Sequence, residues 1–375
     1  MIVIILTDCN VIGIGEGTPY GTDVASDYRK IHNLIKKISK GDLYDYLYNI
    51  KKYEIMELSK EKHINFGAYL ALESAILSAI ALSKKLSIAE ILGGYYRSEI
   101  PVTGTVFLDE PKKMFQIALK YVEVGITHIK FKIPCNLTDL ERWVTIIGSL
   151  KSMYEKLVLR ADANECFNSL YKATKALSIL VRNNIDIIEQ PMPRDKLKEM
   201  AYLKKRFSQS IEFMIDESLR SPYDLELFAS IELADSINFH PSKLGCLSIT
   251  RENLLKAQDL GFKVNIGSSL MTEIGLWHYL NLAASIPMLD YPLEEIGLLN
   301  IYRYWYGKDL LSPKHENFKI LNGKIKLSSP QNFNYKLLRN NILNKKELYK
   351  KLLYQFLHEV GAYFSKLGNK YRFRL

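Results

Sequence analysis

Short apolar runs open the chain, and a much longer one begins near residue 66. Met1–Leu6 and Val11–Ile14, separated by an Asp-Cys-Asn turn, predict two strands. Phe66–Leu86 is rich in Ala, Leu and Ile and has no Gly or Pro beyond its second residue, which predicts a buried helix. Ser87 can cap a short helix over Ile88–Leu92, which two glycines then end. These elements predict an α+β unit over residues 1–98.

The pattern changes near residue 100, where β-rich runs begin to alternate with helical stretches. Such alternation indicates parallel strands joined by crossovers, and eight units predict an α/β fold of the TIM-barrel type over residues 99–300. An open doubly wound sheet is the rival, but no Gly-rich phosphate turn follows the first run. The predicted strands are Val102–Phe107, His128–Ile133, Leu157–Ala161, Ile185–Ile188, Phe213–Ile215, Ser236–Phe239, Lys263–Ile266 and a weak Met288–Leu289.

Composition fits an ordinary globular protein, with 47% hydrophobic and 25% charged residues among 375. No uninterrupted apolar run approaches the roughly 18 residues of a membrane span, so no membrane role is expected. Met1–Leu6 is too short for a secretory segment. The four cysteines form no C-x-x-C pair, which argues against zinc and a redox pair. Four scattered thiols suit a reducing cytoplasm, the predicted location.

Most of the net charge of +10 lies in a C-terminal tail, residues 336–375, which holds ten Lys and Arg against two Glu. Within it, Glu347–Leu367 carries an apolar stripe at helical spacing, with Asn344 as a possible cap. The tail is predicted to be a basic amphipathic helix that packs on its own domain or on a partner subunit. Our hypothesis is that it supports a homo-oligomer. Nucleic-acid or membrane binding is the alternative, but the nearly neutral body gives no reason to expect either.

Polar residues end one predicted strand after another. Asp162 follows Lys132 by 30 residues, and Glu189, Asp216 and Lys243 follow at steps of 27. One βα unit per step places these residues on one rim of the barrel, where barrel enzymes keep their active sites. The full set at these strand ends is Lys130, Lys132, Asp162, Asn164, Glu189, Asp216, Glu217 and Lys243.

The residue types point to a metal-assisted proton transfer. Three carboxylates on adjacent strands would repel and raise each other's pKa values. A hard divalent cation removes that repulsion, and an all-oxygen ligand set favours Mg²⁺ or Mn²⁺ over Zn²⁺. Lysines near that charge have lowered pKa values and can act as bases. The predicted reaction is abstraction of a proton next to a carboxylate, with the metal stabilising an enolate-like intermediate.

These stretches resemble motifs of the enolase superfamily, and within it the muconate-lactonizing branch. That branch contains muconate cycloisomerases, dipeptide epimerases, N-acylamino-acid racemases and o-succinylbenzoate synthases. The resemblance extends from residue 1 to residue 330 and depends on several motifs in order. They are Gly13-Ile14-Gly15-Glu16 with Pro19, Ile91-Leu92-Gly93-Gly94, Lys130-Phe131-Lys132, Ala161-Asp162-Ala163-Asn164, Ile188-Glu189-Gln190-Pro191, Asp216-Glu217-Ser218 and Ser242-Lys243-Leu244-Gly245.

The resemblance implies a modified TIM barrel with an N-terminal capping domain, to which residues 301–335 return. It implies a role for each strand-end residue. Asp162, Glu189 and Asp216 would bind Mg²⁺. Lys132 and Lys243 would be acid/base groups on opposite faces of the substrate, and Lys130 would lower the pKa of Lys132 or touch the substrate carboxylate. Asn164, Glu217 and Ser268 would orient ligands or substrate, and the capping loop would include Glu16, Thr18, Pro19 and Tyr20.

Each of these features has an ordinary alternative when it is taken alone. The lysines and Glu189 could be solvated strand-end charges, and Asp162-Ala163-Asn164 could be a turn. His240 could contact substrate or be a loop histidine, and Ser268 could bind substrate or cap a helix. The ordinary alternatives would have to hold at five successive strand ends, which favours a site. The Gly13-x-Gly15-x-Gly17 run lacks dinucleotide spacing, so no nucleotide cofactor is expected.

The implied function is Mg²⁺-dependent proton abstraction from a small carboxylic acid, giving racemisation, epimerisation or cycloisomerisation. A syn elimination, as in o-succinylbenzoate synthase, could use the same site and is the alternative. A further alternative is a non-catalytic metal-binding barrel whose tail binds a partner. Dipeptide epimerases carry an Asp-x-Asp after the eighth strand. Here Asp290-Tyr291-Pro292 follows the predicted strand, so a dipeptide substrate is not expected.

Overall fold

A computed structural model describes residues 2–7, 11–18, 66–268, 271, 273–294 and 318–327. Predictions on Pro19 and Tyr20, on 301–317 and 328–335, and on the basic tail fall outside the described residues. The described part contains an N-terminal hairpin, a long buried helix, and the barrel that the strand–helix alternation predicts.

The N-terminal elements form where the sequence pattern predicts them. Strand β1 (Ile2–Leu6) pairs antiparallel with β2 (Ile12–Glu16). Helix α1 (Gly67–Lys84) is the long apolar helix, and the shorter α2 (Ile88–Leu92) follows it. The Ser87 hydroxyl accepts a hydrogen bond from the Glu90 amide at 3.1 Å, which confirms the predicted cap of α2.

Helix α1 has the length and hydropathy of a membrane-spanning helix, but 83% of it is buried within the protein. Every residue from Gly67 to Ala81 is buried. Such all-round burial is typical of a core helix, as the sequence predicts, because no face of α1 is left for lipid or solvent.

Eight parallel strands make the barrel. The strands are β3 (Glu99–Val106), β4 (His128–Lys132), β5 (Val158–Asp162), β6 (Ile187–Glu189), β7 (Glu212–Ile215), β8 (Ser236–Phe239), β9 (Lys263–Ile266) and β10 (Leu293–Glu294). They pair in chain order from β3 to β9, and β10 pairs in parallel with β3. A side-chain hydrogen bond of 3.2 Å from Asn265 Nδ2 to Glu294 Oε2 links β9 to β10, which lies on the other side against β3.

Helices connect successive strands on the outside of the barrel. They are α3 (Pro111–Glu123), α4 (Leu137–Met153), α5 (Leu170–Arg182), α6 (Leu197–Phe207), α7 (Asp224–Ser230), α8 (Pro241–Leu244), α9 (Leu247–Asp259) and α10 (Glu273–Ala284). A final hairpin, β11 (Ile320–Leu321) and β12 (Lys324–Lys326), pairs antiparallel with the start of β3, where Ile325 lies opposite Ile100. This hairpin is the described part of the segment predicted to return to the capping domain.

The eighth strand was predicted in the wrong place. It is Leu293–Glu294, not Met288–Leu289. Asp290 precedes it, and its carboxylate accepts the Val264 amide at 2.9 Å. Residues 289–292 therefore form a connection and not a strand. The chain becomes extended only after Pro292, which has no amide hydrogen to donate to a neighbouring strand. The sequence argument against a dipeptide substrate loses its basis, since Pro292 does not follow the strand.

Two of the four predicted free thiols are joined. Cys135 and Cys166 form a disulfide with Cα atoms 5.3 Å apart, while Cys246 is buried and is not in a disulfide. The two cysteines are 31 residues apart, about one βα unit, so they follow neighbouring strands. Scattered thiols consequently no longer support a reducing compartment, and the cytoplasmic location stays a prediction.

The glycine run near the N-terminus has a packing role. Gly13 and Gly15 of β2, and Gly17 just after it, lie against the backbone of α1. A Cβ atom at Gly15 would overlap the carbonyl oxygen of Ala71. The spacing of two residues therefore reflects one face of an extended segment that lies directly on a helix.

Substitution of Gly15 by Ala should lower the free energy of unfolding by about 1–3 kcal/mol, because the added methyl group has no space between β2 and α1. Urea unfolding followed by circular dichroism measures this loss. Ile4→Val, on an exposed position of β1, is the control and should change stability by less than about 0.5 kcal/mol. Equal stability of the two variants would show that the strand and helix can separate.

Carboxylates from the N-terminal elements cap two barrel helices. Glu16, predicted to belong to the capping loop, accepts the Gly275 amide at 2.9 Å in the first turn of α10. Glu73 of α1 accepts the Leu247 amide at 2.7 Å at the start of α9. Burial raises the pKa of Glu73, against the lowering effect of these hydrogen bonds. Both contacts satisfy helix amide groups that would otherwise lack partners, and they fix the N-terminal elements on the barrel.

A buried histidine lies in the same junction. His278 of α10 is 1% exposed, and its ring nitrogens lie 2.7 Å from the Ile274 carbonyl oxygen and 3.1 Å from that of Ser74. Burial lowers the pKa of His278 to about 4, although the carbonyl groups raise it. The imidazole is therefore neutral in the folded protein at pH 7.

The contribution of His278 to stability should fall as the pH drops from 7 to 5. The folded pKa of His278 lies below the unfolded value of about 6.5, so the unfolded chain binds more protons in this interval. The loss due to His278 is about 2 kcal/mol by proton linkage. Urea titrations at both pH values should show a smaller difference for His278→Gln than for the wild type. Identical differences would mean that the buried imidazole is already charged.

Candidate active site

The three predicted metal ligands lie side by side at the barrel rim. Asp162 ends β5 and pairs in register with Glu189, which ends β6, and Asp216 directly follows β7. All three are buried, with exposures of 1%, 0% and 4%. Because parallel strands end at one edge of a sheet, the steps of 27 to 30 residues correctly predict this proximity.

Lys132 lies on one side of the carboxylates, at the end of β4. Its Nζ donates to Asp162 Oδ2 at 2.5 Å and to Asn164 Oδ1 at 2.7 Å. The Asn164 amide group in turn donates to Glu217 Oε1 at 2.9 Å. Asn164 has φ of +43°, a left-handed conformation that Asn tolerates better than most residues. The predicted orienting residue thus holds a lysine and a carboxylate at once.

Lys243 lies on the other side, in the short helix α8 after β8. Its Nζ forms an ion pair with the Asp216 carboxylate and donates to the Asp216 carbonyl oxygen at 3.1 Å. His240 Nε2 lies 3.2 Å from Asp216 Oδ1. His240 is therefore beside a predicted metal ligand. Burial lowers its pKa to about 4, although the Asp216 carboxylate raises it.

Lys130 occupies the centre of the rim. Its Nζ lies 3.3 Å from Asp162 Oδ2 and 3.6 Å from Glu189 Oε1, and it forms a direct ion pair with Glu294. Burial lowers the pKa of Lys130; Glu189 opposes this effect and Lys132 adds to it. Lys130 therefore lies among the carboxylates, and its predicted effect on Lys132 or on the substrate carboxylate stays a prediction.

The carboxylates differ in their proton affinity. Burial would raise the pKa of Asp162, but Lys132 and Lys130 outweigh it and hold that pKa below its usual range. Burial is likewise outweighed at Asp216, where His240 and Lys243 hold the pKa well below normal. Burial raises the pKa of Glu189, and Asp162 raises it further. Burial and the neighbouring Asp216 raise the pKa of Glu217 to about 8.

The donor set fits a hard divalent cation. Oε2 of Glu189 is buried and accepts no hydrogen bond in the structure; its nearest charge is Arg160 Nε at 3.4 Å. Asp162 and Asp216 lie near enough to raise the pKa of Glu189. Within the described ranges, however, no three His, Cys, Asp or Glu side chains converge on one point. The lysines lie among the carboxylates instead, so the predicted convergence is incomplete in this conformation.

The remaining predicted residues lie farther from this centre. Ser268 follows β9 at the same rim and is half-buried. Thr18 follows β2 and is half-buried, while Glu16 points to the α10 amide groups. Pro19 and Tyr20 lie outside the described residues. In the described part of the capping loop, Glu16 makes a structural contact with α10, and a functional role for the loop stays a prediction.

Sequence reasoning missed the polar layer beneath the rim. Glu294 accepts hydrogen bonds of 3.2 Å from Asn238 Nδ2 and from Asn265 Nδ2. Arg160 Nη2 lies 3.2 Å from Glu294 Oε1, and Asn238 also donates to Glu189 Oε1 at 2.9 Å. A usable signal existed, because Arg160, Asn238 and Asn265 each interrupt an apolar run at an inward-facing strand position. Leu293-Glu294 also repeats the apolar-acidic ending of Ile188-Glu189.

Glu294→Gln should lower the free energy of unfolding by about 3–5 kcal/mol, because it leaves Lys130 and Arg160 with less compensating charge in a buried site. Urea unfolding measures the effect. Glu99→Gln removes a carboxylate from an exposed pair with Lys324 and should cost at most about 1 kcal/mol. A loss no larger than that of the control would mean that water already solvates the inner layer.

Comparison with known families identifies this architecture. The family model described as "Enolase C-terminal domain-like" matches residues 113–328, more than half of the chain. The chain therefore belongs to that family, as the strand-end motifs predicted. The matched range begins within α3 and ends just after the hairpin β11–β12.

Curated relatives and solved structures agree with this assignment. An N-succinyl-L-Arg/Lys racemase of Bacillus cereus is 23% identical over 73% of each chain. A chloromuconate cycloisomerase of Cupriavidus pinatubonensis is 27% identical over 76% of this chain and 77% of the relative. An o-succinylbenzoate synthase of Bacillus subtilis is 29% identical over 70% of this chain and 66% of the relative. The protein is accordingly an enolase-superfamily enzyme.

The solved structures show the same fold. The crystal structure of the Bacillus cereus racemase superposes with a TM-score of 0.75 at 23% identity, covering 90% of this chain and 89% of the other. Muconate lactonizing enzyme from Pseudomonas putida gives a TM-score of 0.75 at 21% identity, covering 90% and 92%. At these levels of sequence identity, the superpositions show that the fold is shared.

Proposed function

We propose that the protein removes and returns a proton α to the carboxylate of a small acid, with Mg²⁺ held by Asp162, Glu189 and Asp216. The observation that carries this proposal is the position of Lys132 and Lys243 on the two sides of the three buried carboxylates. A bound Mg²⁺ would supply positive charge to the substrate carboxylate and so make the α-proton more acidic.

The lysines then act as acid and base. One takes the α-proton while the other delivers a proton to the opposite face, which inverts the centre. Asn164 holds Lys132 at 2.7 Å and restricts where its Nζ can reach. The carboxylate oxygens that Lys132 and Lys243 contact are the ones that would hold the cation. Metal binding and release of the lysines toward substrate are therefore coupled.

Racemisation, epimerisation or cycloisomerisation follows from a site with two such lysines, and we propose an isomerase. The relatives named as racemase and cycloisomerase support this choice. Elimination needs only one proton-transfer lysine, and the relative named o-succinylbenzoate synthase makes it the second candidate. The two differ in a measurable way, because elimination releases a leaving group whereas racemisation changes only configuration.

The test is exchange of the α-proton in heavy water with Mg²⁺, followed by proton NMR and optical rotation. N-succinyl-L-arginine, N-succinyl-L-lysine, dipeptides and muconolactone are suitable first acids. Wild-type protein should exchange the proton of at least one of them. Lys132→Ala and Lys243→Ala should each lower the rate by roughly 10²–10⁴-fold, the usual contribution of an acid/base group.

Lys113→Ala is the matched control, since this lysine is exposed and pairs only with Asp109 at 3.5 Å among the described residues. Removal of Mg²⁺ by a chelator should abolish exchange, and added Mg²⁺ should restore it. Full activity in both lysine variants would contradict the assignment. Release of a leaving group without racemisation would select elimination instead.

A further inference from the structure

The disulfide lies between two loops that carry site residues. Cys135 comes three residues after Lys132, in the loop between β4 and α4. Cys166 comes two residues after Asn164, in the loop between β5 and α5. Both cysteines are half-buried, so a small dithiol can reach the bond. The covalent link therefore joins the two segments whose side chains meet in the Lys132–Asn164 hydrogen bond.

The segment before Cys166 has an unfavourable backbone conformation. Asn164 and Glu165 have φ values of +43° and +65°, two consecutive left-handed residues without glycine. Such a conformation persists only where surrounding contacts impose it. The same turn presents the Asn164 side chain to Lys132 and Glu217, so its backbone conformation determines where the amide group lies.

Three kinds of contact hold this turn. The Glu165 amide donates to the Gln190 carbonyl oxygen at 2.9 Å, and the Cys166 amide donates to that of Ala163 at 3.0 Å. The Glu165 carboxylate accepts two hydrogen bonds from the Arg194 guanidinium, at 2.9 and 2.6 Å. The disulfide is the one covalent restraint among them. Each hydrogen bond can exchange with water, whereas the disulfide persists until it is reduced.

We propose that the Cys135–Cys166 disulfide is a positioning element that keeps Asn164 against Lys132, so that the acid/base geometry weakens when the bond is reduced. This inference is based on the proposed function of Lys132. Reduction by dithiothreitol transfers two electrons and two protons to the bond. Cys135 and Cys166 become thiols, and the dithiol closes to its cyclic disulfide. The left-handed turn then depends on non-covalent contacts alone.

The experiment compares oxidised and fully reduced protein, with the extent of reduction measured by iodoacetamide labelling and mass spectrometry. Reduction should lower kcat for α-proton exchange roughly tenfold with little change in KM, because a small displacement of an acid/base group affects the chemical step. Hydrogen–deuterium exchange should rise in the peptide covering 163–168. The peptide covering β8 should stay protected, which excludes global unfolding.

Three variants separate positioning from general stability. The double variant Cys135→Ser, Cys166→Ser should have the kcat of reduced wild type, and dithiothreitol should not change that kcat. Cys246→Ser, which changes the buried cysteine outside the disulfide, should keep the full response. In Asn164→Ala, reduction should cause no further loss of kcat. If the disulfide acts only by positioning the Asn164 side chain, its loss has no effect once that side chain is removed.

Unchanged kcat and unchanged exchange of the 163–168 peptide after complete reduction would overturn the inference. The same fold-loss on reduction in Asn164→Ala as in wild type would also overturn it, since the disulfide would then act by stability alone. Failure of the proposed function gives a different result, namely no α-proton exchange even in oxidised wild type. The deuterium protection of 163–168 still tests the link in that case.

Discussion

The structure depends on compensation of charge that is buried at one end of the barrel. Asp162, Glu189 and Asp216 are at most 4% exposed, and ionised carboxylates cannot stay there without opposite charge. Lysines supply that charge in this structure, and the same oxygens suit a divalent cation. The strand ends, the inner polar layer and the loops all serve to hold these groups close together. The cost of burying the charges is offset only while that geometry lasts.

Rigidity at the rim comes from contacts between successive loops. The Gln190 side chain accepts the Asp216 amide at 3.0 Å and the Ser218 amide at 3.1 Å, which fixes the segment after β7. Arg194 and Glu165 join the segments after β6 and β5. Site residues on short, mutually bonded loops keep their geometry better than residues on a free loop. The family's chemistry requires such precision, since a proton moves between groups at fixed positions.

Seven of the barrel strands could be predicted because their apolar runs are long enough to show a pattern. The eighth could not, since Leu293–Glu294 is only two residues long and Met288–Leu289 offered a competing apolar pair. That error hid Glu294, the buried acceptor that Arg160 and Asn238 share. Arg160 and Asn238 lie within strands, where a polar residue in an apolar run indicates only that it faces inward. Which partners they meet is decided when the barrel closes and brings distant strands together.

The sequence by itself determined the class of fold and which polar strand-end residues share a rim, because one βα unit per step fixes which strand ends lie together. Only the tertiary structure decided how Lys130 lies among the carboxylates and that Cys135 meets Cys166. It also decided that the glycine run packs on α1. The physical reason is that periodicity along a chain reports which face a residue occupies, whereas partners across a barrel depend on distances that the chain order does not contain.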